Sequence, residues 1–136
     1  KLVDSWAEID IFVVKNKRFA QPEYWNLARE MVTNPKEFYA RYGVILFMSN
    51  FLDNVHINDV FANLRAVRND AYYVKMAMAW LYAEATVNYY DETMAELVRP
   101  EINVWTRCKA YQKMLESCRI TGEQKTEIRQ FKEESR

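Results

Sequence analysis

Apolar positions along this chain recur at steps of three and four residues, not in alternation, and that period predicts helices throughout. The first predicted helix covers residues 4–15, with Ile9, Phe12 and Val13 as its buried stripe. Residues 16–21 are polar apart from Phe19 and Ala20 and read as a loop. Pro22 suits the first turn of a second helix, which carries Leu27, Ala28 and Met31 to about Thr33. In Asn34-Pro35-Lys36-Glu37 the order is that of a helix start: a capping Asn, Pro at the first helical position, and Glu placed to cap back. The helix it opens runs through the apolar stretch Val44 to Met48 and on to about Leu52. Asp53-Asn54 breaks the period, after which Ile57, Val60, Phe61 and Leu64 mark another helix ending near Arg68. From Asn69-Asp70 a long helix is predicted over 71–88, apolar nearly all round from Met76 to Leu81 and hence covered by neighbours. Asp91 is the expected cap of a short helix with Met94 and Leu97, stopped by Pro100. Asn103 begins another through Cys118, and Thr121-Gly122-Glu123-Gln124 has capping-box form ahead of a last, mostly polar helix anchored by Ile128 and Phe131.

A short helix, a brief break and a longer helix recur from Pro22, from about His56 and from Asp91. These starts lie 34 and 35 residues apart, in the range of two-helix repeats. Stacked antiparallel helix pairs of this kind form HEAT-like solenoids, a curved α-α superhelix whose second helices line the concave face. When Glu37-Phe38-Tyr39-Ala40-Arg41 is set over Ala71-Tyr72-Tyr73-Val74-Lys75, aromatics fall on aromatics and a base on a base. Arg107, after Val104-Trp105-Thr106, takes a similar place in the third unit. One base per repeat on a concave face would suit a phosphate backbone. Ordinary charges at helix ends account for the same residues equally well.

Composition narrows the picture. The 136 residues suit a single domain, 1–136, with a sizeable core. Two glycines and three prolines are too few for the turns of an all-β fold. Neither a membrane-spanning run nor a signal peptide is visible. Because Lys1 stands without a Met inside a predicted helix, a fragment lacking N-terminal repeats is the expectation. Cys108 and Cys118, ten residues apart on one predicted helix, would be about 15 Å apart, too far for a disulfide. With His56 the only histidine, no zinc-ligand spacing exists, no metal or cofactor is expected, and the thiols fit a reducing cytoplasm. Nineteen basic residues balance nineteen acidic ones, so no global field attracts nucleic acid. Residues 103–119 are locally basic, with Arg107, Lys109, Lys113 and Arg119 against Glu116. The ordinary account of such a cluster is a solvated helix face.

P-loop, dinucleotide-binding and zincin motifs are absent. His56, at a helix start among surface residues, is a poor candidate for a nucleophile's base. The segment that stands out is 4–14. There Trp6 and Asp10 share a helix face, and Asp10 interrupts an apolar run, where a carboxylate is costly unless it is paired or employed. A salt-bridged or solvent-facing Asp10 accounts for the same pattern, and Trp80 is equally explained as a core aromatic.

Four segments carry a resemblance: Trp6-Ala7-Glu8-Ile9-Asp10, Arg41-Tyr42-Gly43-Val44-Ile45-Leu46-Phe47, Tyr72-Tyr73-Val74-Lys75-Met76-Ala77-Met78-Ala79-Trp80, and Lys109-Ala110-Tyr111-Gln112-Lys113-Met114-Leu115-Glu116-Ser117. In this order and spacing they resemble the AlkD-type family of bacterial DNA alkylation-repair proteins, HEAT-like-repeat DNA glycosylases with further repeats ahead of the point corresponding to Lys1. The resemblance implies a monomeric, cytoplasmic, nucleoid-associated enzyme of base-excision repair acting on double-stranded DNA. It would remove cationic N3- or N7-alkylated purines without flipping the base. Such a base leaves as a neutral molecule without a general acid. A carboxylate, here Asp10, would stabilise the oxocarbenium-like sugar and position water. Trp6 and Trp80 would pack on the deoxyribose. Arg41 and Lys75 would hold flanking phosphates, joined by Arg107, Lys109 and Lys113. One departure is Tyr42, where the best-known members carry a second consecutive arginine. A relative that grips damaged or branched DNA without catalysis, and a scaffold for protein partners, are the alternatives.

Overall fold

The computed structural model describes residues 21–135; Trp6 and Asp10, the predicted helix over 4–15 and the loop after it lie outside them. Within that range the chain is all-α: α1 (Gln21–Val32), α2 (Glu37–Asn50), α3 (Ile57–Arg65), α4 (Tyr72–Asn88), α5 (Tyr90–Leu97), α6 (Val104–Glu116) and α7 (Gly122–Glu134), with no strand among the described residues. Helices pack against helices in consecutive pairs, the arrangement expected of helical repeats. The chain divides into two compact units, one ending at Ala77 and the other beginning at Met78, with the division inside α4.

In the first unit α2 is the centre. Eight consecutive residues, Ala40 to Phe47, are buried, so this helix has no solvent face over two turns. It is covered closely by α1, whose buried stripe is Tyr24, Ala28 and Val32, one residue round from the predicted Leu27, Ala28 and Met31. Contact is tightest at Gly43. A Cβ built there would lie 2.6 Å from both the backbone nitrogen and Cγ1 of Val32, and 2.9 Å from the Ala28 carbonyl oxygen. The missing side chain is what lets the two backbones approach. Ile57, Val60, Phe61 and Leu64 form the inner stripe of α3, as their spacing predicts.

The predicted start of α2 needs correction. Asn34 Oδ1 accepts from the Lys36 backbone N–H at 2.8 Å, a local turn, and the helix begins only at Glu37 with Lys36 in the capping position. Glu37, expected to cap back on its own helix, reaches across one repeat instead. Its Oε2 accepts from the Tyr73 N–H at 2.8 Å, satisfying an otherwise orphan donor in the first turn of α4. The Asn69 side chain donates in the opposite direction, to the Pro35 carbonyl oxygen at 2.9 Å.

In the second unit α4 contributes Leu81, Tyr82, Ala85 and Thr86 to the core, α5 contributes Met94 and Leu97, α6 contributes Ala110, Tyr111 and Met114, and α7 contributes Ile128. Phe131 stacks on Tyr111 with ring centroids 6.3 Å apart, so both predicted anchors of α7 engage. The Asn103 side chain accepts from the Thr106 N–H, and Thr121 and Gln124 form the full capping box. Asp91 does not cap α5: Tyr89 holds that position, and Asp91 lies in the first turn, where its charge favours the helix N-terminus. Ties one repeat long recur here, from Arg119 Nη2 to Glu84 at 2.6 Å and from the Tyr90 hydroxyl to Glu127.

Gly43→Ala is expected to destabilise the protein by about 1–3 kcal/mol, because backbone rather than a flexible side-chain end blocks the added methyl. Gly122→Ala, with nothing within 4 Å, should leave stability unchanged or slightly raised. Urea midpoints of the two variants check this pair.

Candidate functional site

Of the residues singled out as a nucleic-acid site, the structure assigns clear positions to six. In the first unit, Arg41 lies inside the buried run of α2 at 6% exposure, and its Nη1 donates to the Tyr73 carbonyl oxygen at 3.2 Å. This guanidinium fastens α2 to the start of α4. Expected to hold a flanking phosphate, it bonds a backbone carbonyl within this unit. Lys75, half-buried in α4, follows two residues after Tyr73. Tyr42, the departure from the family pattern, is buried; desolvation, with Tyr24 nearby, pushes its hydroxyl up to about 12. It is a core phenol, not a surface contact.

In the second unit Arg107 repeats the theme. Its Nε donates to the Leu97 carbonyl oxygen and its Nη2 to that of Arg99 at 2.9 Å, so it closes the C-terminus of α5. Arg107 is thus a charge at a helix end, whereas Arg41 is a buried guanidinium within α2. Lys109 and Lys113 are disposed differently. Lys109 lies over the Trp105 ring, 5.6 Å from its centroid, and donates to Gln112 Oε1 at 3.0 Å. Among the described residues Lys113 makes no ion pair, and it extends the same helix face one turn on. Trp105, Lys109 and Lys113 therefore form a stripe of one aromatic and two cations along α6. Trp105 was not among the predicted site residues, although its four-residue step to Lys109 was visible.

Trp80 projects from α4 at 39% exposure, while its neighbours Ala79 and Leu81 are fully buried. A large indole left this open is not a core aromatic. Cys108 and Cys118 are both free, and α6 ends at Glu116, two residues short of the second thiol. Among the described residues no cluster of three metal-ligating side chains exists, and no helix is long and apolar enough to cross a membrane.

A second constellation was missed in the sequence. His56 Nδ1 lies 2.8 Å from Asp53 Oδ1, and the imidazole packs against Trp25 and Phe51 with centroid distances of 5.3 and 5.0 Å. The same carboxylate oxygen accepts from the backbone N–H groups of Val55 and His56 at 3.0 and 2.8 Å, so Asp53 caps the turn leading into α3. Partial burial works against ionising Asp53. The His56 side-chain and backbone hydrogen bonds, the His56 charge and the Val55 N–H outweigh it and hold the carboxyl below its ordinary value. An Asp-x-x-His step just before a helix was the available signal.

No protein family, curated protein or solved structure was found to match the chain.

The depressed Asp53 titration fixes the sign of a pH effect. Its contribution is complete above the unfolded value of about 4 and is lost as pH falls through the lower folded value. Asp53→Asn is therefore expected to be less stable than the parent at pH 7, with the gap closing near pH 3. Asp53→Ala, which also loses the cap, should cost about 1 kcal/mol at neutral pH. Urea titrations at the two pH values read out both.

Proposed function

We propose that this protein acts in DNA alkylation repair as a glycosylase that excises N3- or N7-alkylated purines from duplex DNA without flipping the base. The observation that carries the reading is Trp80: the indole that ends the segment Tyr72–Trp80 is open to solvent between the buried Ala79 and Leu81. An exposed aromatic face can pack on a deoxyribose and favour its developing positive charge. Asp10 supplies the carboxylate that stabilises the oxocarbenium-like sugar and orients water, with Trp6 on the same predicted helix face. Because the departing purine is already cationic, it needs no protonation, and a site of one carboxylate and two indoles suffices. Lys109 and Lys113, with Trp105 between them and the helix start, supply phosphate contacts on α6, and Lys75 supplies one on α4. Arg41 and Arg107 are left out of the contact set, since both are bonded to backbone carbonyls.

Release of 7-methylguanine from methylated duplex DNA tests the reading. The parent protein should excise, and Asp10→Asn should lose about a hundredfold or more in rate. Trp80→Ala should keep the parent's thermal stability and lose about tenfold. Lys109→Glu with Lys113→Glu should weaken duplex binding and flatten its salt dependence. Salt-dependent binding with no base release by the parent would overturn the catalytic claim and leave a DNA-binding repeat protein.

A further inference from the structure

Trp80 opens to solvent on a stretch of α4 that brings no cation of its own. From Met78 to Asn88 the helix carries a single charge, on Glu84. That acid stands four residues after Trp80, so the two share a helix face and lie about 6 Å apart along the axis. A bare carboxylate there would repel the phosphates of any strand whose sugar packs on the indole. It is not bare. Arg119 Nη2 bonds Glu84 Oε2 at 2.6 Å, which brings a guanidinium from the turn between α6 and α7 to the acid one turn along from Trp80. All three residues belong to the second unit.

The turn that carries Arg119 is itself held. Its N–H donates to Ser117 Oγ at 3.2 Å, and the next residue, Ile120, is buried just ahead of the Thr121 capping box. The Arg119 side chain is nevertheless 55% exposed, and among the described residues only its Nη2 is bonded. A planar guanidinium carries more donors than one carboxylate engages, which leaves some for a second oxyanion. We propose that Arg119 is a positioning residue of the DNA site: it bonds Glu84 and a backbone phosphate together, and so holds the strand whose sugar packs on Trp80. The inference rests on the reading that places DNA at Trp80. Glu84 gives the guanidinium its location, while the guanidinium cancels the repulsion of the acid and adds a phosphate contact.

The test measures binding of the whole protein to an unmodified fluorescent duplex by anisotropy across a salt series, beside release of 7-methylguanine. Arg119→Gln combined with Glu84→Gln keeps the net charge of the parent, and an exposed ion pair contributes little to stability, so the fold and the long-range field are preserved. This double variant should bind about threefold or more weakly, and the slope of log affinity against log salt should fall by about one. Its KM for methylated duplex should rise with kcat held. Arg119→Gln alone should bind more weakly still, because Glu84 is then uncovered beside the strand. A double variant with the affinity and slope of the parent would overturn the role of Arg119 and leave an ordinary surface ion pair, with the DNA reading untouched. A parent that does not bind duplex would overturn the DNA reading itself, and this inference with it. A parent that binds without releasing base loses only the catalytic claim, and the salt slopes still decide for or against Arg119.

Discussion

A helix buried on every side has to be enclosed by others, and its polar atoms must find partners that are not water. That condition, set by α2, governs the first unit. Eight buried residues in succession leave no solvent face, and α1 can come close enough to cover one side only because position 43 carries no side chain. The one charge inside the run, on Arg41, is tolerable because a carbonyl at the start of α4 accepts from it. Glu37, at the head of the same helix, meets the neighbouring N–H of Tyr73. Two side chains one turn apart on α2 thus bond to the two backbone groups of a single residue. Within the first unit, the start of α4 is fastened to α2 by that double attachment.

The second unit meets its own version of the condition with the same kinds of group. A guanidinium closes a helix end, an Asn and a Thr cap helix starts, and acid–base or phenol–acid pairs connect residues about one repeat apart in sequence. Most of these partners are polar side chains near helix termini, where backbone groups are left over. The arginines that look like a ladder in the sequence are occupied in this way, while the lysines, whose flexible stems suit solvent, remain on the surface.

Much of the fold was legible in the sequence because helical period is a local property. The stripe Ile57, Val60, Phe61 and Leu64, the break at Asp53, the cap at Asn103 and the capping box at Thr121 needed only neighbours in the chain. What misled was every residue whose partner lies a repeat away. Asn34 and Glu37 have the order of a cap and its return contact, yet Glu37 bonds to Tyr73, and no local rule distinguishes the two. Arg41 was ambiguous for the same reason, and Arg107 because a base that closes a helix end and a base on a binding face can occupy the same register. Trp80 was ambiguous in the other direction: its apolar surroundings suggested burial, and only packing decides which face of α4 stays open. The His56–Asp53 pair was missed because a histidine among surface residues gives no hint of the Trp25 and Phe51 rings that hold it.

The bonds between residues about a repeat apart have a consequence for how such a chain can change length. Glu37 and Arg41 reach Tyr73 only when α2 presents them at one angle, and a single residue inserted between them would turn one against the other by about 100°. The attachment behaves like a reading frame. Whole helix pairs can be duplicated or lost between such joints with each remaining joint intact, whereas small insertions are confined to the turns, and lineages of this protein should differ in length by repeats and by loops but not within α2.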